Sequence, residues 1–385
     1  MLSFAASAAS ELPESLARHP LVQRAWEGLD FQQVWDVHVH LVGVGDDPES
    51  GIWLHPRHFS PLHPVAYLSR AAFMRGAKVD PKDVDRSFVR RLLALTEDFP
   101  PGYRVMLLAF DGCYDARGAL DLDKTPFLIP NRYAAALARR HPERLAWIAS
   151  IHPHRGDAVE ALEAAAEEGA MAVKWLPQAM GIDPAEPRCD PFYDALARLQ
   201  LPLLCHTGVE RAVHGGVGEQ EWANPLRLRR ALDRGVTVIA AHCASLGRAV
   251  DIDQGPDGPS VPAWRLFFRL LDEPQYHHQL FGDLSATLLA NRESRFQHEL
   301  LRRREWASRL LQGSDYPLPG VKILLSPTQL AEEGLLDRDH IKVLKALRRH
   351  NPLLYEFVLK RTITLAGESL PANMFHTRRA FPRAM

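Results

Sequence analysis

Eight short apolar runs, each late-loaded with a polar residue and separated by helical patterns, constrain this 385-residue chain more than anything else in it. They are VWDVHVHLVG (34–43), RVMLLAFDG (104–112), RLAWIASIHPH (144–154), AMAVKWLP (170–177), LPLLCHTG (201–208), VTVIAAHCAS (236–245), LFGDLSAT (280–287) and RLLQGSDYP (309–317). Near-continuous apolar runs of this length suit strands buried on both faces, as in a parallel sheet. Between the third and fourth lies DAVEALEAAAEEG, where Asp157 is placed to cap a helix and Gly169 falls at its C′ position. Eight strands alternating with helices predict an α/β fold, a closed (β/α)8 TIM barrel. Lys174, His206 and His242 follow one another at intervals that fit one βα unit of roughly 30 residues or a little more.

Two stretches depart from the repeat. The gap between His40 and the second run is twice a βα unit, so a long insertion follows the first strand. Its first half, GIWLHPRHFSPLH, is expected to form a flap over the barrel mouth. After Tyr316 the chain turns helical over 327–362, with amphipathic segments suited to pack on the barrel exterior. The expected division is an N-terminal helical segment (1–33), the barrel (34–326) and a C-terminal helical extension (327–385).

Composition excludes several classes. Lys and Arg number 46 against 47 Asp and Glu, which gives no global reason to seek nucleic acid or an anionic membrane. Four cysteines are too few for a disulfide scaffold. No apolar run approaches the ~18 residues of a spanning helix, and MLSFAASAAS lacks the basic start of a signal peptide, so the expected location is cytoplasmic. The expected partner is a small-molecule substrate, with no nucleic acid and no membrane, and self-association as a homodimer is allowed. Histidine is in surplus at 18, which points to metal or proton transfer.

The polar residues carry the chemistry. His38 and His40 are two apart and share a strand face. Lys174 follows AMAV and precedes WLP in the fourth run, and His206 ends the fifth strand, His242 the sixth and Asp315 the eighth. All come at the carboxyl end, where barrel active sites are built. Imidazoles and a carboxylate converging there suit a borderline divalent metal, Zn²⁺ first, with Mn²⁺ or Fe²⁺ as alternatives. Taken singly, each has an ordinary structural reading; a strand-end histidine can bond a backbone, and Asp315 can serve a turn. Lys174 is different, because a buried ammonium needs a partner or a chemical change.

The ordered set His38-x-His40, Lys174, His206, His242, Asp315 resembles the amidohydrolase superfamily of metal-dependent barrel hydrolases. DVHVHLVG and GSDYP resemble its amidohydrolase-2 branch in particular, which also contains decarboxylases related to aminocarboxymuconate semialdehyde decarboxylase. The likeness runs from about residue 34 to 376 and includes NPLLYEFVLKRT. It implies that His38, His40 and His206 are metal ligands, and that Asp315 is a ligand and proton acceptor. His242 is then a second-metal ligand or the group that polarises the substrate. It also implies that Lys174, carbamylated by CO2, bridges two metals. Ligand count favours two metals, with one as the alternative.

The implied activity is hydrolysis of an amide, lactone or ester of a small molecule by metal-activated water. The alternatives are a metal-dependent decarboxylase of an aromatic or unsaturated carboxylate and a non-catalytic metal-binding barrel. Substrate contacts are expected from Trp175, Arg211, Tyr114 and His55, with His58, His152 and His154 as further candidates near the mouth. His277 and His278 precede the seventh run and are read as structural. Cys205 and Cys243 are read as packing residues, and Asp283 either orients a ligand or caps a loop.

Overall fold

A computed structural model describes residues 12–211, 213 and 220–384. Residues 1–11 of the expected N-terminal segment, including the stretch weighed as a signal peptide, lie outside the described residues. The eight apolar runs form eight strands: β1 (Trp35–His40), β2 (Arg104–Leu108), β3 (Leu145–Ile148), β4 (Val173–Trp175), β5 (Leu203–His206), β6 (Val238–Ala241), β7 (Leu280–Asp283) and β8 (Leu310–Leu311). Every pairing among them is parallel, in the orders β1-β2-β3 and β8-β7-β6-β5-β4. Single bridges join the two sheets, Ala149 to Val173 and Val39 to Tyr316, and so close the ring. Across the β1–β8 seam, Val37 N–H donates to Gln312 O (3.1 Å) and His40 N–H donates to Tyr316 O (3.0 Å). The strands are shorter than the apolar runs because the last residues of each run bend away into the loops that bear the site.

Apolar side chains fill the barrel below the mouth. Val37, Met106, Leu108, Ile148, Leu204, Ile239 and Leu311 pack together with Phe381, which the C-terminal turns bring against the barrel floor. Thr377 holds it there, its Oγ1 accepting from Trp35 N–H at 3.0 Å. The helix expected after β3 spans Ala158–Glu167, with Gly169 left-handed at its end (φ 87°). Asp157 does not cap it. Its carboxylate takes Arg155 instead, through Nε and Nη2 at 2.8 Å each, because a bidentate guanidinium outcompetes one backbone N–H.

The insertion after β1 forms the expected flap. Trp53–Leu54 pairs antiparallel with Phe127–Leu128, and helices α1 (Pro64–Ala77) and α2 (Val84–Thr96) follow. Leu54, His58, Phe73 and Met74 from this flap wall the cavity at the barrel mouth.

Of the C-terminal helices, Ile341–His350 buries only an apolar stripe, as the amphipathic pattern requires. The next helix, α3 (Pro352–Thr362), departs from that pattern: Pro352 to Lys360 are all buried. Asn351 starts it, its Oδ1 accepting from Leu354 N–H at 2.9 Å while its Nδ2 donates to Leu95 O at 2.8 Å. A charged pair is buried on this helix. Lys360 Nζ lies 2.5 Å from Glu356 Oε1 and donates to Gly313 O at 2.6 Å, and Gln312 Nε2 donates to Glu356 Oε2 at 3.0 Å. This helix therefore grips the backbone just after β8, two residues before Asp315. Among the described residues no helix is long and apolar enough to cross a membrane.

Candidate metal centre

The site assembles from strand ends. A register shift in β1 between Asp36 and Val39 separates two environments. Above it, His38 and His40 face the mouth with ring centroids 5.1 Å apart. Below it, Asp36 faces the layer under α3, where it accepts from Tyr103 Oη (3.4 Å) and from the backbone N–H of Ser314 (2.8 Å). Burial pushes Asp36 up to about 7, against the pull of the Ser314 and His38 donors. Asp36 thereby ties β1 to β8 from behind.

The rings form one chain, with centroids 4.9 Å apart for His38–His242 and 5.0 Å for His206–His242. Asp315 Oδ1 lies 3.0 Å from His40 Nε2 and 3.6 Å from His38 Nε2. Lys174, His206, His242 and Asp315 are all buried and line the same cavity as His38 and His40. The six residues expected to form the site are thus brought together.

Three of the four imidazoles are oriented through Nδ1. His38 Nδ1 lies 2.5 Å from Asp283 Oδ2, and His206 Nδ1 lies 3.4 Å from Glu210 Oε2. His242 Nδ1 is 3.1 Å from the Ser285 carbonyl, which only accepts, and 2.8 Å from Ser285 Oγ, whose own proton goes to Asp283 Oδ2 (2.8 Å), so Nδ1 carries the proton. All three rings therefore present the lone pair on Nε2. Burial lowers the pKa of His38, of His242 and of His206, the last to about 4, so they stand neutral at pH 7, the form that ligates. The sequence allows Asp283 two alternative roles, and its carboxylate makes the contact of each, lying against His38 Nδ1 and accepting from Ser285 N–H at 2.6 Å.

The donor set fits a cation. His38 Nε2, His206 Nε2 and Lys174 Nζ are buried with no hydrogen-bond partner among the described residues. Buried polar atoms are normally satisfied, and three orphans beside a carboxylate are what a bound divalent ion would satisfy. His38, His40 and Asp315 offer ligand atoms close enough to share one ion. The alternative grouping of His38, His242 and Asp283 is geometrically as tight. Asp283, however, binds the Nδ1 side of His38, away from the cavity, and we place it as the orienting group.

The loops holding the site are strained. His242, Cys243 and Ala244 are consecutive left-handed residues (φ 61°, 51° and 49°), and Asp315 is a fourth (φ 58°). Each costs of order 1–3 kcal/mol and persists only where surroundings enforce it. Here Thr207 Oγ1 accepts from Ala244 N–H (3.1 Å), and Asp315 N–H donates to His38 O (2.9 Å).

The expected substrate contacts fare differently. Arg211 borders the cavity. Trp175 does not: alternation on β4 sends Lys174 inward and Trp175 outward, where it packs on Phe192 and Tyr193 and donates to Ile151 O at 2.9 Å. Tyr114 turns to Asp111 (3.0 Å), and His55 caps a short turn by accepting from Arg57 N–H (3.1 Å). Neither reaches the cavity; His58 does. Cys205 and Cys243 are buried free thiols, as expected of packing residues, and His277 and His278 are exposed.

His152 and His154 also miss the cavity. His154 meets Glu186 at 3.2 Å. His152 is fully buried, its Nε2 facing Met180 O (3.0 Å) and its Nδ1 accepting from His154 N–H (3.1 Å). A second ring proton would destroy that acceptor, and burial lowers its pKa to about 3. Above pH 6.5 the ring is neutral in both folded and unfolded chains and contributes no pH dependence. Between 6.5 and about 3 the unfolded chain takes a proton that the folded one refuses, so stability falls as pH falls. His152→Gln is expected to flatten the dependence of Tm on pH across that window; an unchanged slope would refute this.

Two residues of consequence lay outside the sequence reading. Asp36 is hidden by the register shift, and Arg292 sits in the loop after β7, where ANRES offers no periodic signal.

A solved TIM-barrel protein from Bordetella bronchiseptica is similar over 74% of this chain and 86% of its own, at 14% identity and a TM-score of 0.50. A probable 2-pyrone-4,6-dicarboxylic acid hydrolase from Acinetobacter baumannii is similar at 15% identity, over 85% and 95% of the two chains, with a TM-score of 0.45. A 2,6-dihydroxybenzoate decarboxylase from Rhizobium is similar at 14% identity, over 74% and 88%, with a TM-score of 0.41. No curated protein matches the sequence. The amidohydrolase family profile matches residues 35–352, from the first residue of β1 to the first residue of α3. The chain belongs to the amidohydrolase family of metal-dependent enzymes.

Proposed function

We propose that this protein is a metal-dependent hydrolase that cleaves an amide, lactone or ester bond in a small molecule. The observation that carries the reading is a carboxylate, Asp315, set among neutral imidazoles whose Nε2 lone pairs converge on the floor of an apolar cavity. His38, His40, His206 and Asp315 would hold one divalent ion. Lys174, as a carbamate, and His242 would complete a place for a second. Burial lowers the pKa of Lys174, which favours the neutral amine that attacks CO2, and its Nζ has no competing partner among the described residues. When bound, the metal supplies a water acidic enough to ionise near neutral pH and polarises a substrate oxygen.

The chain's own residues do the rest. Burial alone would raise Asp315, but the hydrogen bond with His40 leads the contacts that hold it well below the usual carboxylate range. It therefore begins the cycle as a base, takes a proton at a carboxylate oxygen and returns it to the leaving group. His242, with its proton committed to Ser285, has no N–H to offer a carbonyl oxygen. This favours the ligand role for it over substrate polarisation. The apolar walls exclude water and strengthen every charge interaction inside.

Metal content tests the nuclearity. Two equivalents per chain are expected from elemental mass spectrometry of protein prepared with bicarbonate, and a lower content for Lys174→Met. One equivalent in the unaltered protein would sink the bridged arrangement. The apolar walls also favour a second reading, loss of CO2 from a carboxylate, because desolvation destabilises the anion. CO2 release from aromatic acids, set against turnover of a lactone and ester panel, separates the two.

A further inference from the structure

We propose that the substrate is a molecule with a largely apolar body and a single anionic group, and that Arg292 receives that group. The inference rests on the cavity above being the reaction site. That cavity has a volume of about 350 Å³, room for one small molecule. Its walls above the imidazole cluster are mainly apolar, with Phe73, Phe110, Phe127, Leu176, Leu246 and Leu289 among them.

Arg292 interrupts these walls. Its Nε donates to Ser245 Oγ at 2.8 Å and its Nη1 donates to Asn291 Oδ1 at 2.7 Å. Both acceptors are neutral. No carboxylate among the described residues lies within ion-pair distance of it; Asp315 and Glu210 act on it only from farther off. The guanidinium is thus withdrawn partly from water, fixed in direction and left without a counter-charge. Burial lowers its pKa to about 10, so the cation persists at neutral pH. A planar fork held by two neutral oxygens is pre-organised for a carboxylate or a comparable oxyanion.

The other cations at the cavity are differently engaged. Arg70 donates through Nε to His58 O (3.0 Å) and lies over the rings of Phe59 and Tyr67. Arg211 is exposed. Lys174 is on the floor with the imidazoles. Arg292 is the one of these cations held in direction by neutral acceptors within apolar walls, so it selects one anion: a second carboxylate would be stripped of water with only the exposed Arg211 to meet it.

Calorimetric titration of the full chain, stripped of metal with EDTA, tests this with 4-phenylbutanoate and its neutral analogue 4-phenylbutanamide. The acid is expected to bind at least about tenfold more tightly than the amide, and more tightly than citrate. Arg292→Met should erase the acid preference, Arg292→Lys should keep part of it, and Arg211→Met should leave it intact. Circular dichroism checks the fold. If Arg292→Met does not fold, Arg292→Gln, which can still donate to Ser245, is read in its place.

Equal binding of acid and amide overturns the proposal. So does a preference that survives loss of Arg292, one that disappears with Arg211, or tighter binding of citrate. The reaction reading is judged separately, by turnover of the metal-loaded protein. An Arg292-dependent preference without any turnover upholds this site and sinks the reaction; turnover without that preference removes this site alone.

Discussion

Asp315→Asn is expected to lower kcat by about 10³-fold, within the 10²–10⁴ range typical of a lost general base, and by more if the metal is also lost. The change removes the proposed proton acceptor and the only carboxylate that touches His40 and His38 Nε2 among the described residues. It should leave the fold intact. Asparagine is the same size, tolerates the left-handed backbone at this position (φ 58°), and keeps the N–H that donates to His38 O. Far-ultraviolet circular dichroism and Tm should therefore stay near those of the unaltered protein. Near-normal kcat in a well-folded Asp315→Asn protein would remove Asp315 from the chemistry.

The second large effect lies away from the cavity. Lys360→Met should cost about 3–5 kcal/mol in urea denaturation, because it strands the Glu356 carboxylate in a fully packed environment. The double change Lys360→Met with Glu356→Leu should recover most of that loss, since two apolar side chains need no partners. If single and double variants are equally unstable, the pair's electrostatics are not the cause, and the lost hydrogen bond to Gly313 O is. Either way the single variant should loosen the turn that presents Asp315, because Lys360 holds the backbone two residues upstream.

The parts of this molecule that were legible in the sequence share a physical reason. Each strand is an apolar run, so its existence is written locally, and a polar residue late in such a run can only be at the mouth. That is why His38, His40, Lys174, His206, His242 and Asp315 could be gathered from the sequence and are found together. Trp175 was readable by the same rule and misassigned: a neighbour of an inward lysine on a strand points outward. The loops were not readable. Tyr114, His55 and His152 go where Asp111, the Arg57 turn and Met180 O draw them, and those partners are set by tertiary packing. Asp157 was lost to a neighbour two residues away that offered a better bond than the helix did. Arg292 carries no pattern at all; it becomes visible only once the walls around it are known to be apolar.

The seam between β1 and β8 also sets a timetable. Ser314 N–H reaches Asp36 Oδ1 across 278 residues of sequence, and Lys360 must arrive later still to hold Gly313. A chain emerging from the ribosome exposes His38 and His40 long before Asp315 has been synthesised. Contacts of such separation form late and slowly. Metal loading would therefore follow ring closure, as a last step of biogenesis, and a product of interrupted synthesis would hold the first two imidazoles and no working centre.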